Sequence, residues 1–334
     1  MTTFAAFFVN LNLSGRGLLG GKMTLLGFDE FVLKLRKALA DYYGTDYSTS
    51  IHKTKKNNGL ELTGICLKKR DSKLAPTIYA EGFYRDYQQS GNFGNIVFDV
   101  IKVINSSTVP DNLDVTFFSD YENISSKIEM KLINREKNGS LLKEIPYKEF
   151  LDMAVVFYYA FEDNQLENAS ILIRNEHLKA WGITIDQLYA DAVVNAKRLC
   201  KPIINNMTEV VIDIMKKRGI EDDDEIFEML SFMPSEDLMY VLTTENGRYG
   251  ATAMLDKDGL ESFAKQVNSD FFILPSSIHE LILVPVKGGY MPDVLKGMVK
   301  EVNDNHVAQE EVLSYSVYMY SRAKRDVKII ETMA

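Results

Sequence analysis

The sequence predicts an α+β fold of mainly antiparallel sheets with helices packed on them, arranged in two or three sub-domains. Three observations predict it. The C-terminal third runs in the order β-β-α-β-β-α, which describes an antiparallel sheet with helices on one side. Asn57-Asn58-Gly59 and Glu245-Asn246-Gly247 each separate two extended runs and tolerate the positive φ that hairpin turns need. The chain has 334 residues, 46% of them apolar, which is ample for a core and long for a single one.

Residues 1–22 hold a G-x-G-x-x-G match, Gly15-Arg16-Gly17-Leu18-Leu19-Gly20. A dinucleotide-binding turn needs a helix starting directly after the glycines, with the pyrophosphate at its N-terminus. Here the chain continues Gly21-Lys22-Met23-Thr24-Leu25-Leu26-Gly27, and helical periodicity starts only at Phe28. The Walker pattern fails too, with Arg16 in place of its first glycine and Met23 in place of Ser or Thr. Gly20-Gly21-Lys22-Met23 can be encoded as a purine-rich ribosome-binding site ahead of a start codon. The expectation is that Met23 is the true start and residues 1–22 are a disordered, non-native upstream leader. A native peptide spanning Lys22–Met23 contradicts it.

From Phe28 to Tyr43 apolar residues recur at helical spacing, and Gly44 ends the run. Tyr47–Lys55 and Leu60–Lys69 are expected to pair as a hairpin, joined by Pro76–Ala80, with a helix over Phe93–Asn105. A strand is expected over Leu113–Phe118, a helix over Tyr121–Ile133 and a turn over Arg135–Gly139. Phe150–Phe161 is rich in β-branched and aromatic residues and predicts a buried strand partnered by Ala169–Arg174. Gly182 closes a helical turn, Thr184 caps a helix over Ile185–Leu199, and Thr208 caps another to Arg218.

The acidic run Glu221–Glu225 marks a solvated connection. Beyond it, Leu238–Thr244 and Arg248–Leu255 predict a hairpin, Asp258–Val267 a helix, Phe271–Leu274 and His279–Val284 two strands, and Pro292–Asn303 a helix. Val312–Tyr320 closes the fold as a strand or short helix. The division expected after the leader is an N-terminal α+β region (23–147), a strand hairpin plus helices (148–220), an acidic linker (221–237), a C-terminal ββαββα region (238–322) and a tail (323–334).

The net charge of −9 works against sequence-independent DNA binding, which needs clustered cations. Cys66 and Cys200 lie far apart and outside any C-x-x-C pair, as reduced thiols of a cytoplasmic protein would. No apolar run reaches the ~18 residues of a membrane helix. Neither a cofactor nor a metal is implied.

Ser276-Ser277-Ile278-His279-Glu280 offers the residue types of nucleophile, base and orienting acid, with Ser277 and His279 as the catalytic candidates. The opposing reading is a turn whose serines bond the backbone, since adjacent strand residues face opposite ways. His177 beside Trp181 is a candidate binding pair, against the reading that Trp181 anchors a helix while His177 partly meets water. Tyr315, Tyr318 and Tyr320 form either an interface patch or a closing core layer. The basic hairpin Lys53–Lys73 invites an anion but lacks the interleaved aromatics of single-strand binders.

Five segments carry a resemblance: PTIYAEGFYRDYQQSGNF, DVTFFSDYE, KLINREKNGSLLKEIPYKEFLDMAVVFYY, ASILIRNEHLKAWGIT and SDFFILPSSIHELILVPV. From about Phe28 to about Arg322 the chain resembles the uncharacterised bacterial domain-of-unknown-function family 5688. The stretch from Trp181 to Asn195 is also similar to the uncharacterised YtpQ-like proteins. Neither resemblance implies an activity or a site. Three functional readings follow. The first is a non-catalytic protein that binds another protein or itself, the second a hydrolase built on Ser277 and His279, the third a nucleic-acid contact through the basic hairpin.

Overall fold

A computed structural model describes residues 25–70, 75–106, 116–161, 170–217, 219–220, 222 and 239–331. The expected leader, most of the acidic linker and the 113–115 part of the expected strand lie outside the described residues. The chain divides into two compact units. One takes in the described residues from Leu25 to Asp120 with Phe161 and Ser170; the other takes in Tyr121–Ala160 and the described residues from Ile171 onward.

The first unit sets helix α1 (Phe28–Tyr43) against a three-stranded antiparallel sheet, β1 (Tyr47–Lys55), β2 (Glu61–Lys69) and β3 (Thr77–Tyr79). Asn58 and Gly59 take φ of 60° and 70°, the left-handed turn their sequence supplies. Two helices follow, α2 (Ala80–Ser90) and α3 (Phe93–Ser106). Helix α2 is absent from the sequence reading. Its stop signal is Gly91, left-handed at φ 67°, and its inward residues Ala80 and Tyr87 are two turns apart. Phe31 of α1 stacks on Tyr87 at 5.3 Å and meets the edge of Phe93 at 5.7 Å. Burying Phe31 fully contributes roughly 2–3 kcal/mol.

In the second unit the expected helix over Tyr121–Ile133 is corrected. Only the short α4 (Tyr121–Ile124) is helical, and Ile128–Asn134 is strand β4. Ile128–Leu132 alternates apolar and charged residues with a period of two, and pairing along β6 outweighs the segment's helical propensity. The 116–118 part of the expected strand is likewise a 3-10 turn, Thr116–Ser119. Strand β5 (Tyr147–Phe150) turns at Leu151 and Asp152 into β6 (Met153–Ala160), all eight of whose residues are buried. β6 pairs with β4, β5 and the expected partner β7 (Ser170–Leu172). Helices α5 (Asn175–Trp181) and α6 (Ile185–Leu199) follow, and Thr184 Oγ1 caps α6 by accepting from Gln187 N–H.

The larger sheet has six antiparallel strands. In chain order they are β8 (Pro202–Asn206), β9 (Tyr240–Thr244), β10 (Phe271–Pro275), β11 (Leu281–Pro285), β12 (Tyr318–Ser321) and β13 (Asp326–Ile329). Across the sheet the order is β13-β12-β10-β11-β9-β8. Helices α7 (Met207–Lys217), α8 (Lys257–Val267) and α9 (Pro292–Asn305) complete it. Two expectations change. Asn206, not Thr208, caps α7, its Oδ1 accepting from Thr208 N–H at 2.8 Å. Arg248–Leu255 is not a strand, because Gly250–Leu255 coils as a 3-10 helix. A Cβ at Gly250 would lie 2.4 Å from the His279 carbonyl oxygen and 2.5 Å from Thr243 Oγ1, so the backbone approaches there as only glycine allows.

A polar knot ties the two sheets of this unit together. Asp152, at the β5–β6 turn, accepts from Ser314 Oγ at 2.7 Å, Ser316 Oγ at 2.9 Å and Tyr318 Oη at 2.6 Å. Ser316 N–H donates to Ser314 Oγ at 2.9 Å. The aspartate that interrupts the most apolar stretch of the sequence is therefore the acceptor around which the segment before β12 winds.

Candidate functional site

A second carboxylate organises a more open cluster in the same unit. Glu129 and Lys131 share one face of β4, two residues apart. The antiparallel register sets Glu129 opposite Tyr158 of β6. Tyr158 Oη donates to Glu129 Oε2 at 2.6 Å, and Cys200, at the C-terminal cap of α6, brings its Sγ to the same oxygen at 3.1 Å. Burial, with the Glu129 charge behind it, pushes the Cys200 thiol up to about 12. The same two causes push the Tyr158 hydroxyl far above its ordinary value. Neither group ionises near neutral pH.

The cluster continues outward through aromatic rings. Tyr249 meets Tyr158 edge-on at 5.0 Å. It also stacks parallel on His279 at 5.3 Å and 15°. Lys131 Nζ lies 4.9 Å from the Tyr249 ring centre and the Arg248 guanidinium 5.8 Å from it, within cation–π range. Tyr249 is itself left-handed, at φ 47° and ψ 34°, which costs about 1–2 kcal/mol for a residue with a Cβ. The bond that holds it there is Tyr249 N–H to His279 Nδ1 at 3.1 Å. That bond leaves the ring proton on Nε2, which faces Glu311 Oε1 at 3.6 Å. The imidazole holds the Glu311 carboxyl below the usual carboxylate range, against its burial.

The loop carrying His279 is fixed by its own serines. Ser277 is fully buried, and its Oγ accepts from His279 N–H at 3.0 Å. Ser276 Oγ donates to Glu280 Oε1 at 3.0 Å. The two expected catalytic residues are thus neighbours, but the serine hydroxyl serves the histidine's backbone while the histidine ring serves Tyr249 and Glu311. Ser277 belongs to the turn and His279 to the outward stack.

The remaining candidates lie elsewhere. His177 Nδ1 accepts from Arg174 N–H at 3.0 Å at the start of α5, and burial lowers its pKa. Its ring lies 5.4 Å from Trp181, which packs at 5.5 Å on Tyr121. The three C-terminal tyrosines separate. Tyr315 is exposed and donates to Asp304 at 2.9 Å, Tyr318 is in the Asp152 knot, and Tyr320 stacks on Phe271 at 5.0 Å. In the basic hairpin Lys53 pairs with Glu61 at 3.0 Å and Lys56 covers the Tyr79 ring at 4.1 Å, while Lys73 lies outside the described residues. Among the described residues no group of three His, Cys, Asp or Glu is placed to hold a metal ion, and no helix is long and apolar enough to cross a membrane.

Sequence reasoning missed Glu129, Lys131, Tyr158, Cys200 and Tyr249. The alternation around Glu129 was the usable signal for the first two. A family model described as a family of unknown function (DUF5688) matches residues 28–322. The comparisons with curated proteins and with solved structures return no match.

Proposed function

We propose that this chain, which belongs to a family of unknown function, is a bacterial cytoplasmic protein that binds another protein and works without catalysis. One observation carries the reading. The two candidate nucleophiles of this cluster, Ser277 and Cys200, are engaged inside the fold, whereas the groups that face outward are those of a recognition surface. Ser277 is buried beneath its own turn and the Cys200 thiol is pushed up to about 12. Facing outward are His279 and Glu311, whose side chains are 33% and 38% exposed, with Tyr249, Lys131 and Arg248 around them. Tyrosine and arginine held rigidly at a partly exposed site are the side chains that dominate protein interfaces. The two free cysteines suit a reducing compartment.

Two measurements test it. Intact-mass analysis after treatment with a fluorophosphonate should show no adduct at Ser277. An adduct that Ser277→Ala abolishes, together with ester hydrolysis lost in His279→Gln, overturns the reading in favour of a hydrolase. A photo-crosslinking residue at position 249 should capture one discrete protein in the native cell. That protein, purified separately, should bind the wild-type chain and bind Tyr249→Asn at least about tenfold more weakly. Asparagine keeps the left-handed backbone and removes the ring. A chain that stays a monodisperse monomer and captures nothing contradicts the proposal.

A further inference from the structure

A separate cavity in the second unit lies between α8 and the β12–β13 turn. It has a volume of about 350 Å³ and is lined by Glu261, Ala264, Lys265, Tyr320, Arg322 and Ala323. The turn itself is Arg322-Ala323-Lys324-Arg325, closed by Arg325 N–H to the Ser321 carbonyl at 2.7 Å. The charges around it are distributed unevenly. Both oxygens of Glu261 are taken, Oε1 by Lys265 at 2.8 Å and Oε2 by Arg325. Asp270 Oδ1 accepts from the Arg322 backbone N–H at 3.0 Å, and Asp326 faces Lys257 at 3.8 Å. The Arg322 guanidinium is in no ion pair among the described residues, and it lines the cavity.

The decisive atom is Tyr320 Oη. The residue is 1% exposed, and its hydroxyl is closed to solvent with no well-formed hydrogen bond. The charged groups beside it are Glu261, whose two oxygens Lys265 and Arg325 already hold, and those two cations, which only donate. The phenol proton therefore has no acceptor among the described residues. A buried donor without an acceptor is costly and rare, and this one belongs to a wall residue of a cavity lined by Lys265 and Arg322 as well as Glu261, where an anion reaches it once the long cationic side chains beside it swing aside. What would satisfy it is an anionic acceptor with oxygens in several directions, because the phenol, the Lys265 ammonium and the Arg322 fork approach from different elements.

We infer that this cavity binds a tetrahedral oxyanion of the phosphate class, with Tyr320 Oη, Arg322 and Lys265 as its donors. The oxyanion comes either free or as the terminal group of a small phosphate monoester. This site does not depend on the Tyr249–His279 surface.

Titration calorimetry of the full chain with inorganic phosphate, with glycerol phosphate and with acetate tests it. Saturable one-site binding of inorganic phosphate, of glycerol phosphate or of both is the expected result. Tighter binding of phosphate identifies the free ion as the source, and tighter binding of glycerol phosphate identifies the monoester. Tyr320→Phe should weaken the binding about tenfold or more while its melting temperature stays level or rises, because it deletes an unsatisfied buried group. That pairing separates a ligand donor from a packing defect, which would leave affinity unchanged. Arg322→Gln, on the exposed turn, should weaken binding to a similar degree and carries the test if Tyr320→Phe fails to fold. Absence of saturable binding at millimolar anion, equal binding of acetate, or full affinity in Tyr320→Phe overturns the inference.

Discussion

Asp152 and Glu129 are two carboxylates in one unit with opposite fates. Asp152 gathers two serines and a tyrosine from a single stretch of chain, and every hydroxyl donates inward. Glu129 gathers one tyrosine and one thiol from distant elements, and its cluster leads outward through Tyr249 to the partly exposed His279 and Glu311. The difference teaches how to tell a closed polar network from one that reaches the surface, where we propose recognition. The first closes on itself. The second has a buried inner half, the Glu129 carboxylate held by an un-ionised phenol and thiol, and an outer half bearing Lys131, Arg248 and Glu311, joined by a strained residue, Tyr249.

Asp152→Ala should break the comparison most visibly. It strands three hydroxyls that now share a charged acceptor, and it should lower unfolding free energy by about 3–4 kcal/mol in urea titrations. Glu129→Gln removes a charged acceptor with two donors and should cost about 1–2 kcal/mol. It should also speed Cys200 alkylation at alkaline pH, because the thiol loses the second cause of its upward shift while keeping burial, the first. Tyr318→Phe should cost about 1.5 kcal/mol, the low end for one bond to a charged group, because two serines still satisfy Asp152. A larger loss in Glu129→Gln than in Asp152→Ala would invert the assignment of structural and functional roles.

The effect that is silent near neutral pH concerns Cys200. Folded Cys200 keeps its proton up to about 12, and its ordinary value is 9.0. Between these values the folded state binds the additional proton, so this contribution is fully present below pH 9 and is lost as pH rises toward 12. Cys200→Ala should flatten the alkaline decline by up to one proton per molecule, read from melting curves taken across that window.

Much of the fold was legible where local signals agree with pairing. Phe28–Tyr43 ends at Gly44, whose φ of 69° suits a glycine, and Thr184 caps Ile185–Leu199 as its sequence position implies. β4 was not legible as a strand because Tyr121–Ile124 does begin a helical turn, and the alternation after it was absorbed into that helix. The 3-10 run after Tyr249 was hidden because its cause is a close approach to the His279 carbonyl, 29 residues from Gly250. For the site, only His279 stood out. Its companions lie at positions 129, 131, 158, 200, 249 and 311, and no spacing rule connects residues that a sheet register and a helix cap bring together.

The most direct test of the account compares one variant from each region against the partner captured through position 249. Ser316→Ala should lower stability and leave affinity within about twofold of wild type, while Tyr249→Asn should fold and lose about tenfold or more. Full affinity in Tyr249→Asn, with binding lost only when the Asp152 knot is broken, would contradict the assignment of recognition to the outward stack.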